Sequence, residues 1–239
     1  MTDIIERLRD DNEYYGPFGK QYLSYSSIDA LINNPQEFGN NVEKTIPMVL
    51  GSYLHTLVLE PHKVDSFKIV DASTRNTKVY KEISEGELCM LQKEADAIQV
   101  LRDRLMANET VSRLIQDPSA KYEEPMVSEL HGEMWKGKAD IVTDEYIIDL
   151  KTTNDIKTFK SSCYRRYYNA QAYIYSQMFG KEFVFIVIDK KTGQIGAYDC
   201  SNQFYMSGRD RVIEAVTQYR LLFKDQEFDP TNYLIKDTL

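Results

Sequence analysis

The sequence predicts an α/β fold in which helices flank a mixed central β-sheet. Three observations carry that prediction. The run Phe183-Val184-Phe185-Ile186-Val187-Ile188 is continuously apolar over the length of a strand, as expected for a strand buried on both faces. Residues 125–130, 134–142 and 146–151 read as three successive strands separated by turn-length gaps. Helix-length segments precede and follow them, so helices are available to cover the sheet. No internal repeat, low-complexity tract or Pro/Gly/Ser-rich linker divides the 239 residues. The chain therefore reads as one domain over 1–239, with its motif-bearing core at about 22–200.

Taken in chain order, Ser26 and Ser27 precede Ile28, Leu31 and Ile32 as a serine-capped short helix that Pro35 brings to an end. Residues 48–59 are apolar almost all round and should form a buried helix. Within it Gly51 stands one turn before His55 and would let another element approach closely. Residues 71–83 lack periodicity and read as a basic loop, followed by a polar helix at about 85–108. After the three strands a single long helix is expected at about 157–179. The apolar strand 183–188 then turns through Lys191-Thr192-Gly193 into a strand at 195–200, and a last helix covers about 206–223.

Composition narrows the function. With 37 Asp+Glu against 29 Lys+Arg the net charge is -8, which excludes a protein that coats nucleic acid or anionic membrane by bulk charge. It leaves room for an enzyme whose basic residues gather on one surface. Cys89, Cys163 and Cys200 contain no C-x-x-C pair, so a cysteine-held metal or cluster is not expected and the thiols suit a reducing cytoplasm. The amino terminus lacks the apolar run of a signal peptide, and no stretch approaches the ~18 apolar residues of a membrane span. A cytoplasmic protein without membrane contact is expected.

The most informative segment is Gly137-Lys138-Ala139-Asp140-Ile141-Val142, followed by Tyr146-Ile147-Ile148-Asp149-Leu150-Lys151. Pairing Val142 with Ile147 across a tight turn sets Asp140 directly opposite Asp149. Alternation along the strand then puts Asp149 and Lys151 on one face. Two carboxylates at cross-strand distance repel unless a cation sits between them. Mg²⁺, a hard cation that takes one or two carboxylates and keeps positions for water and phosphate, fits that requirement. Lys151 would supply a cation to the same face, and the set suits hydrolysis of a phosphodiester. Replacing either aspartate by Asn should, on this reading, relieve strain in the cation-free protein.

The Asp-x-Lys pattern alone carries little weight, since it recurs at Asp155 and Asp189. Asp189 runs straight into a turn and is assigned to turn chemistry. His55 on the apolar helix is a candidate ligand, with Glu60 nearby in sequence, and Glu124 or the adjacent Glu123 could add an oxygen. Between residues 151 and 166, Lys151, Lys157, Lys160, Arg165 and Arg166 face only Asp155, a local balance of +4. That cluster suits a phosphate-tracking surface, to which Arg75 and Lys78 of the basic loop would add. Gln171 and Tyr175, four apart, share a helix face.

In order, Gly51-x-x-x-His55, Gly137-Lys138-x-Asp140, Asp149-Leu150-Lys151-Thr152 and Gln171-x-x-x-Tyr175 resemble the RecE (exonuclease VIII)-like and phage exonuclease branch of the PD-(D/E)XK nuclease superfamily. The opening Leu23-Ser24-Tyr25-Ser26-Ser27-Ile28, then Asn34-Pro35 and Leu54-His55-Thr56-Leu57, adds to the likeness, which spans about 22–180. Ala139 stands where the superfamily's proline would precede Asp140. The resemblance implies a restriction-endonuclease-like nuclease fold, with metal ligation by His55, Asp140, Asp149 and the Leu150 carbonyl. It gives Lys151 the catalytic lysine role and makes Gln171 and Tyr175 supporting residues. It further implies a Mg²⁺-dependent exonuclease (Mn²⁺ substituting) that acts on duplex DNA ends, from 5′ to 3′, and leaves 3′ tails; the alternatives are a structure-specific or single-strand nuclease of the same superfamily, or a catalytically inactive DNA-binding or inhibitory protein on this scaffold. A bacterial or phage-infected cell, a single-strand annealing recombinase as partner and a ring homo-oligomer follow from the same likeness. The ring also has a physical motive: at -8, holding DNA through many cycles should require enclosing it.

Overall fold

The computed structural model describes residues 2–224 together with 229, 233 and 234. The amino-terminal part is helical: α1 (Thr2–Arg7), α2 (Asp11–Tyr15), α3 (Ser27–Asn33) and α4 (Ile46–Leu59). A small parallel pair, β1 (Ile69–Val70) and β2 (Met90–Leu91), brackets α5 (Lys78–Ser84). Next come α6 (Gln92–Ala107) and α7 (Glu109–Ile115). Strands β3 (Lys121–Leu130), β4 (Glu133–Val142) and β5 (Tyr146–Thr153) lead to α8 (Phe159–Arg165) and α9 (Tyr168–Phe179). The chain closes with β6 (Glu182–Asp189), β7 (Ile195–Asp199) and α10 (Asn202–Tyr219).

The central sheet has the order β3-β4-β5-β6-β7. Its pairs are antiparallel except β5 with β6, which run parallel because α8 and α9 form the crossover between them. Two cores sandwich this mixed sheet. On one face Trp135, Ala139, Ile147, Phe183 and Phe185 pack under α3, α9 and α10; on the other Ile141, Ile148, Leu150, Ile186 and Ile188 meet α4, α6 and α7. Every residue of β6 from Phe183 to Asp189 is buried, so its unbroken apolarity reflects coverage on both sides. Two glycines set the layer spacing on the first face. A Cβ at Gly137 would come within 2.8 Å of the Tyr175 ring, and one at Gly208 within 2.0 Å of the Asn169 carbonyl oxygen, so both helices sit closer than any larger residue allows.

Several sequence expectations are revised. The apolar helix α4 buries only Tyr53, Leu54 and Leu59 fully, because it covers the sheet as an outer layer. A Cβ at Gly51 would meet nothing within 4 Å, so no close approach occurs there. Ser26 makes no side-chain cap bond; the Ser27 hydroxyl instead accepts from the Ser24 amide at 3.2 Å. Half of the expected basic loop is α5, capped by the Thr77 hydroxyl on the Tyr80 amide, and the polar helix begins only at Gln92 and continues as α7. The long helix is broken at Tyr167, whose φ of 55° is left-handed. The break is held from outside: the Tyr25 hydroxyl donates to the Arg166 carbonyl at 2.7 Å, and Asn33 Nδ2 to the Tyr167 hydroxyl at 2.9 Å. Asp189 is turn chemistry as expected, its carboxylate accepting from the amides of Lys191, Thr192 and Ile156 at 2.8–2.9 Å.

Candidate active site

Strands β4 and β5 pair in the register the sequence predicts, Val142 with Ile147 and Ile141 with Ile148, and then part. At the next rung the Asp140 carboxylate takes the place of a backbone acceptor: its Oδ2 receives the Leu150 amide at 2.8 Å. His55 reaches the same point from α4, with Nδ1 3.3 Å from Asp140 Oδ2 and Nε2 donating to the Leu150 carbonyl oxygen at 2.8 Å. The imidazole thus spans an aspartate and a backbone carbonyl that belong to two different strands.

On the other side of β4, the β3 register would set Glu123 against Asp140, and that rung is missing from the ladder. Glu123 has a φ of 48°. A left-handed glutamate inside a strand costs roughly 1–3 kcal/mol, and here it brings its carboxylate to the site. Ligand atoms of His55, Glu123 and Asp140 all lie within 4.8 Å of one another. Glu124 points elsewhere, gripped by Arg9 through two bonds of 2.7 and 2.9 Å. The choice between the two glutamates that the sequence leaves open therefore falls on Glu123.

Asp149 and Lys151 do share a face of β5, the face under α9. Asp149 Oδ1 accepts from Gln171 Nε2 at 2.6 Å and its Oδ2 lies 2.6 Å from Lys151 Nζ. The Lys151 ammonium also sits 4.9 Å from the Tyr168 ring centroid. Tyr175, one turn beyond Gln171, donates its hydroxyl to the Lys138 carbonyl at 3.2 Å and so holds β4 rather than a carboxylate. The two aspartates are thus separately compensated, Asp140 by His55 and Asp149 by Lys151, and Asp149, expected as a metal ligand, is not part of the converging group of His55, Glu123 and Asp140. Removing the charge of Asp149 would strand a buried lysine, so the expected relief of strain is not built into this site.

The electrostatics are those of a site short of positive charge. Burial, reinforced by the charge of Asp140, pushes Glu123 up to about 8. Burial also raises Asp149 to about 6, with Lys151 opposing and Asp140 adding to the shift. Burial works against charge on His55, but the adjoining Asp140 carboxylate wins and lifts it to about 9. Asp140 is held below its ordinary value, despite burial, by the His55 charge and hydrogen bond. An imidazole, two carboxylates and a backbone carbonyl converging here form a hard, mainly oxygen donor set that fits Mg²⁺ or Mn²⁺.

Residues 24–232 match the model of the DUF3799 family, described as a PDDEXK-like domain of unknown function. The chain belongs to that family. Among solved structures, the crystal structure of a candidate exonuclease from Eubacterium rectale superposes with a TM-score of 0.65 at 15% identity, over 96% of this chain and 95% of that chain. A phage-related exonuclease from Haemophilus somnus 129PT aligns over 85% of this chain and 96% of that chain at 15% identity, with a TM-score of 0.38, too loose to bear on the fold. No curated protein matches. The first likeness establishes the fold of this PDDEXK-like domain, and its mixed α/β architecture agrees with the sequence prediction.

The PDDEXK-like domain opens on a cleft of about 530 Å³ that Asp140, Glu123, His55, Glu60 and Tyr175 line together with Lys136 and Lys138. Lys136, Lys138 and Asp140 fall on alternate positions of β4; Lys138 stands in the Gly137-Lys138-x-Asp140 motif without an assigned role, and nothing in the sequence marked Lys136. Asp11, Tyr14 and Tyr15 from the amino-terminal helices also line the cleft, and a sequence reading misses them because they lie about 130 residues from Asp140. Of the basic residues, Lys157, Lys160, Arg165 and Arg166 are exposed, as is Lys78. Arg75 is different: Glu94 holds its guanidinium at 2.9 and 2.5 Å, and the Cys89 carbonyl accepts from it at 3.3 Å. Its charge is thus consumed in joining the loop to α6. No helix among the described residues is long and apolar enough to cross a membrane.

Proposed function

We propose that this PDDEXK-like domain is a Mg²⁺-dependent DNA exonuclease of the recombination type, hydrolysing phosphodiesters of duplex DNA from the 5′ end to leave 3′ tails. The observation that carries the reading is the convergence of His55, Glu123 and Asp140 at one point with Asp149 and Lys151 on the adjoining strand. A divalent cation held by His55, Glu123, Asp140 and the Leu150 carbonyl, with Asp149 beside it, would supply Lewis-acid polarisation of the phosphoryl group and a more acidic water. Lys151 stabilises negative charge that develops on the phosphoryl oxygens and orients the attacking water. Gln171 keeps Asp149 from rotating away, and Tyr175 fixes the backbone of β4 next to Asp140. The exposed Lys157, Lys160, Arg165 and Arg166 track the phosphates, with Lys78 as an outlying contact. A ring of identical chains and a single-strand annealing recombinase that takes up the 3′ tail complete the proposal.

Digestion of end-labelled linear, nicked and circular DNA tests the reading. Linear duplex should be degraded from its 5′ ends with Mg²⁺ or Mn²⁺. Ca²⁺ should support binding with little turnover, because its longer and more variable bonds hold water and phosphate less well in line. Robust cleavage in EDTA, or cleavage of closed circles at the rate of linear DNA, would overturn it.

The phosphate-tracking role has its own expected result. Replacing Arg165 and Arg166 together by Gln should weaken DNA binding for all sequences and lower the salt slope by about two, since each phosphate contact releases condensed counterions. Fluorescence anisotropy across a salt series measures both. An unchanged slope would remove these residues from the interface.

A further inference from the structure

The residues ahead of the family match, which begins at residue 24, build one wall of the cleft. Helix α2 is fastened there on several sides. Asp10 caps it by accepting the amides of Asn12 and Glu13 at 2.7 and 3.2 Å, and Arg7 pairs with Glu13 at 2.7 Å. Asp11 bridges Lys138 at 2.7 Å and Lys63 at 3.1 Å, while Arg9 grips Glu124 on β3. Lys136 donates to the Tyr14 carbonyl and places its ammonium 4.1 Å from the centre of the Tyr14 ring. These contacts make α2 a fixed part of the cleft.

Tyr14 is buried by this arrangement, and it holds its neighbour edge-on, the two ring centroids 4.9 Å apart at 76°. Tyr15 is 67% exposed, although it lines the same cleft as His55, Glu123 and Asp140. Lys138 lies 5.8 Å from its ring. An aromatic side chain braced edge-to-face by Tyr14, largely open to solvent and with a cation 5.8 Å over its ring, in a cleft lined by His55, Glu123 and Asp140, has the make-up of a base-stacking platform.

We infer that Tyr15 stacks on the base of the terminal nucleotide as a DNA strand end enters the cleft, and so determines preference for ends whose last base is unpaired. The inference rests on the nuclease reading above and names the part of the substrate that α2 contacts. Any of the four bases suffices, because stacking uses the ring and not the hydrogen-bonding edge.

The test uses the full chain as wild type, Tyr15→Ala, Tyr15→Phe and Tyr15→Trp, on duplexes carrying 2-aminopurine at the 5′-terminal position. With Ca²⁺ present and saturation verified by anisotropy, wild type, Tyr15→Phe and Tyr15→Trp should quench the probe. Tyr15→Ala should lose most of the quench and about tenfold in kcat/KM with Mg²⁺, in line with the effect of removing one stacking side chain. The loss should be largest on frayed ends. If Tyr15→Ala matches wild type in quench and in kcat/KM, the platform is refuted while cleavage by wild type leaves the nuclease reading standing. If Tyr15→Phe falls as far as Tyr15→Ala, the hydroxyl is what matters and stacking is refuted. Absence of wild-type cleavage with every divalent cation would instead bring down the nuclease reading, and this inference with it.

Discussion

Asp140→Asn and Lys151→Ala should each lower DNA cleavage by about a thousandfold or more, the scale expected when a charge acting directly on the reacting group is removed. The two should differ in stability. Asn at 140 can still accept the Leu150 amide, the bond that holds the parted strands at 2.8 Å, so its loss is confined to the ionic contact with His55. Lys151→Ala removes the buried partner of Asp149 at 2.6 Å. Breaking a buried pair on one side costs about 3–5 kcal/mol when the remaining charge has no other outlet. Here Asp149 already sits at about 6 through burial, with Lys151 opposing that shift. Losing the lysine raises it further, so the carboxylate can take up a proton. A clear drop in Tm at neutral pH and above, relieved as the pH falls from above 6 toward the unfolded carboxylate value of about 4, is therefore expected for Lys151→Ala alone. Single-turnover cleavage and thermal melts on the same preparations read both effects. Retention of a tenth of wild-type turnover by Asp140→Asn would sink the assignment of the site.

Glu123→Gln and Glu124→Gln, one residue apart, should have opposite consequences. Glu123 contributes a ligand atom within 4.8 Å of His55 and Asp140, so its neutralisation should weaken cation binding about 10- to 100-fold and lower cleavage at limiting Mg²⁺ by a similar factor. Saturating Mg²⁺ should restore part of the activity, because the other donors remain. Glu124→Gln should leave cation affinity unchanged and act on stability, through the loss of the two-bond contact with Arg9 that anchors the amino-terminal helices. That contact is partly exposed, 42% on the arginine side, so its loss should cost no more than about 1 kcal/mol. Isothermal titration with Mn²⁺ separates the two variants. Equal loss of Mn²⁺ affinity in both would show that the left-handed turn at Glu123, and not its carboxylate, organises the site.

The α/β class and the register of β4 on β5 were legible in the sequence. Alternation and turn length are local properties, so counting sets Val142 against Ile147 and Ile141 against Ile148, but the direct opposition of Asp140 and Asp149 expected from the same count is replaced by the Asp140 carboxylate accepting the Leu150 amide where the strands part. Helix spacing likewise sufficed to put Gln171 and Tyr175 on one face of α9, and the structure turns that face toward the sheet. What local pattern could not contain was the outcome of contacts between distant segments. The break at Tyr167 depends on hydrogen bonds from Tyr25 and Asn33, more than 130 residues away, and a helix propensity summed over 157–179 has no access to them. Arg75 looked free because its partner Glu94 comes from another element. Glu123 and Glu124 are the same residue type side by side, and only the left-handed backbone at 123 and the reach of Arg9 to 124 tell them apart. The wall formed by α2 is the fullest case. Tyr15 acquires a position beside Asp140 solely because Asp11, Arg9 and Tyr14 find charged partners on β3, β4 and the turn after α4, and those pairings exist only once the chain has folded.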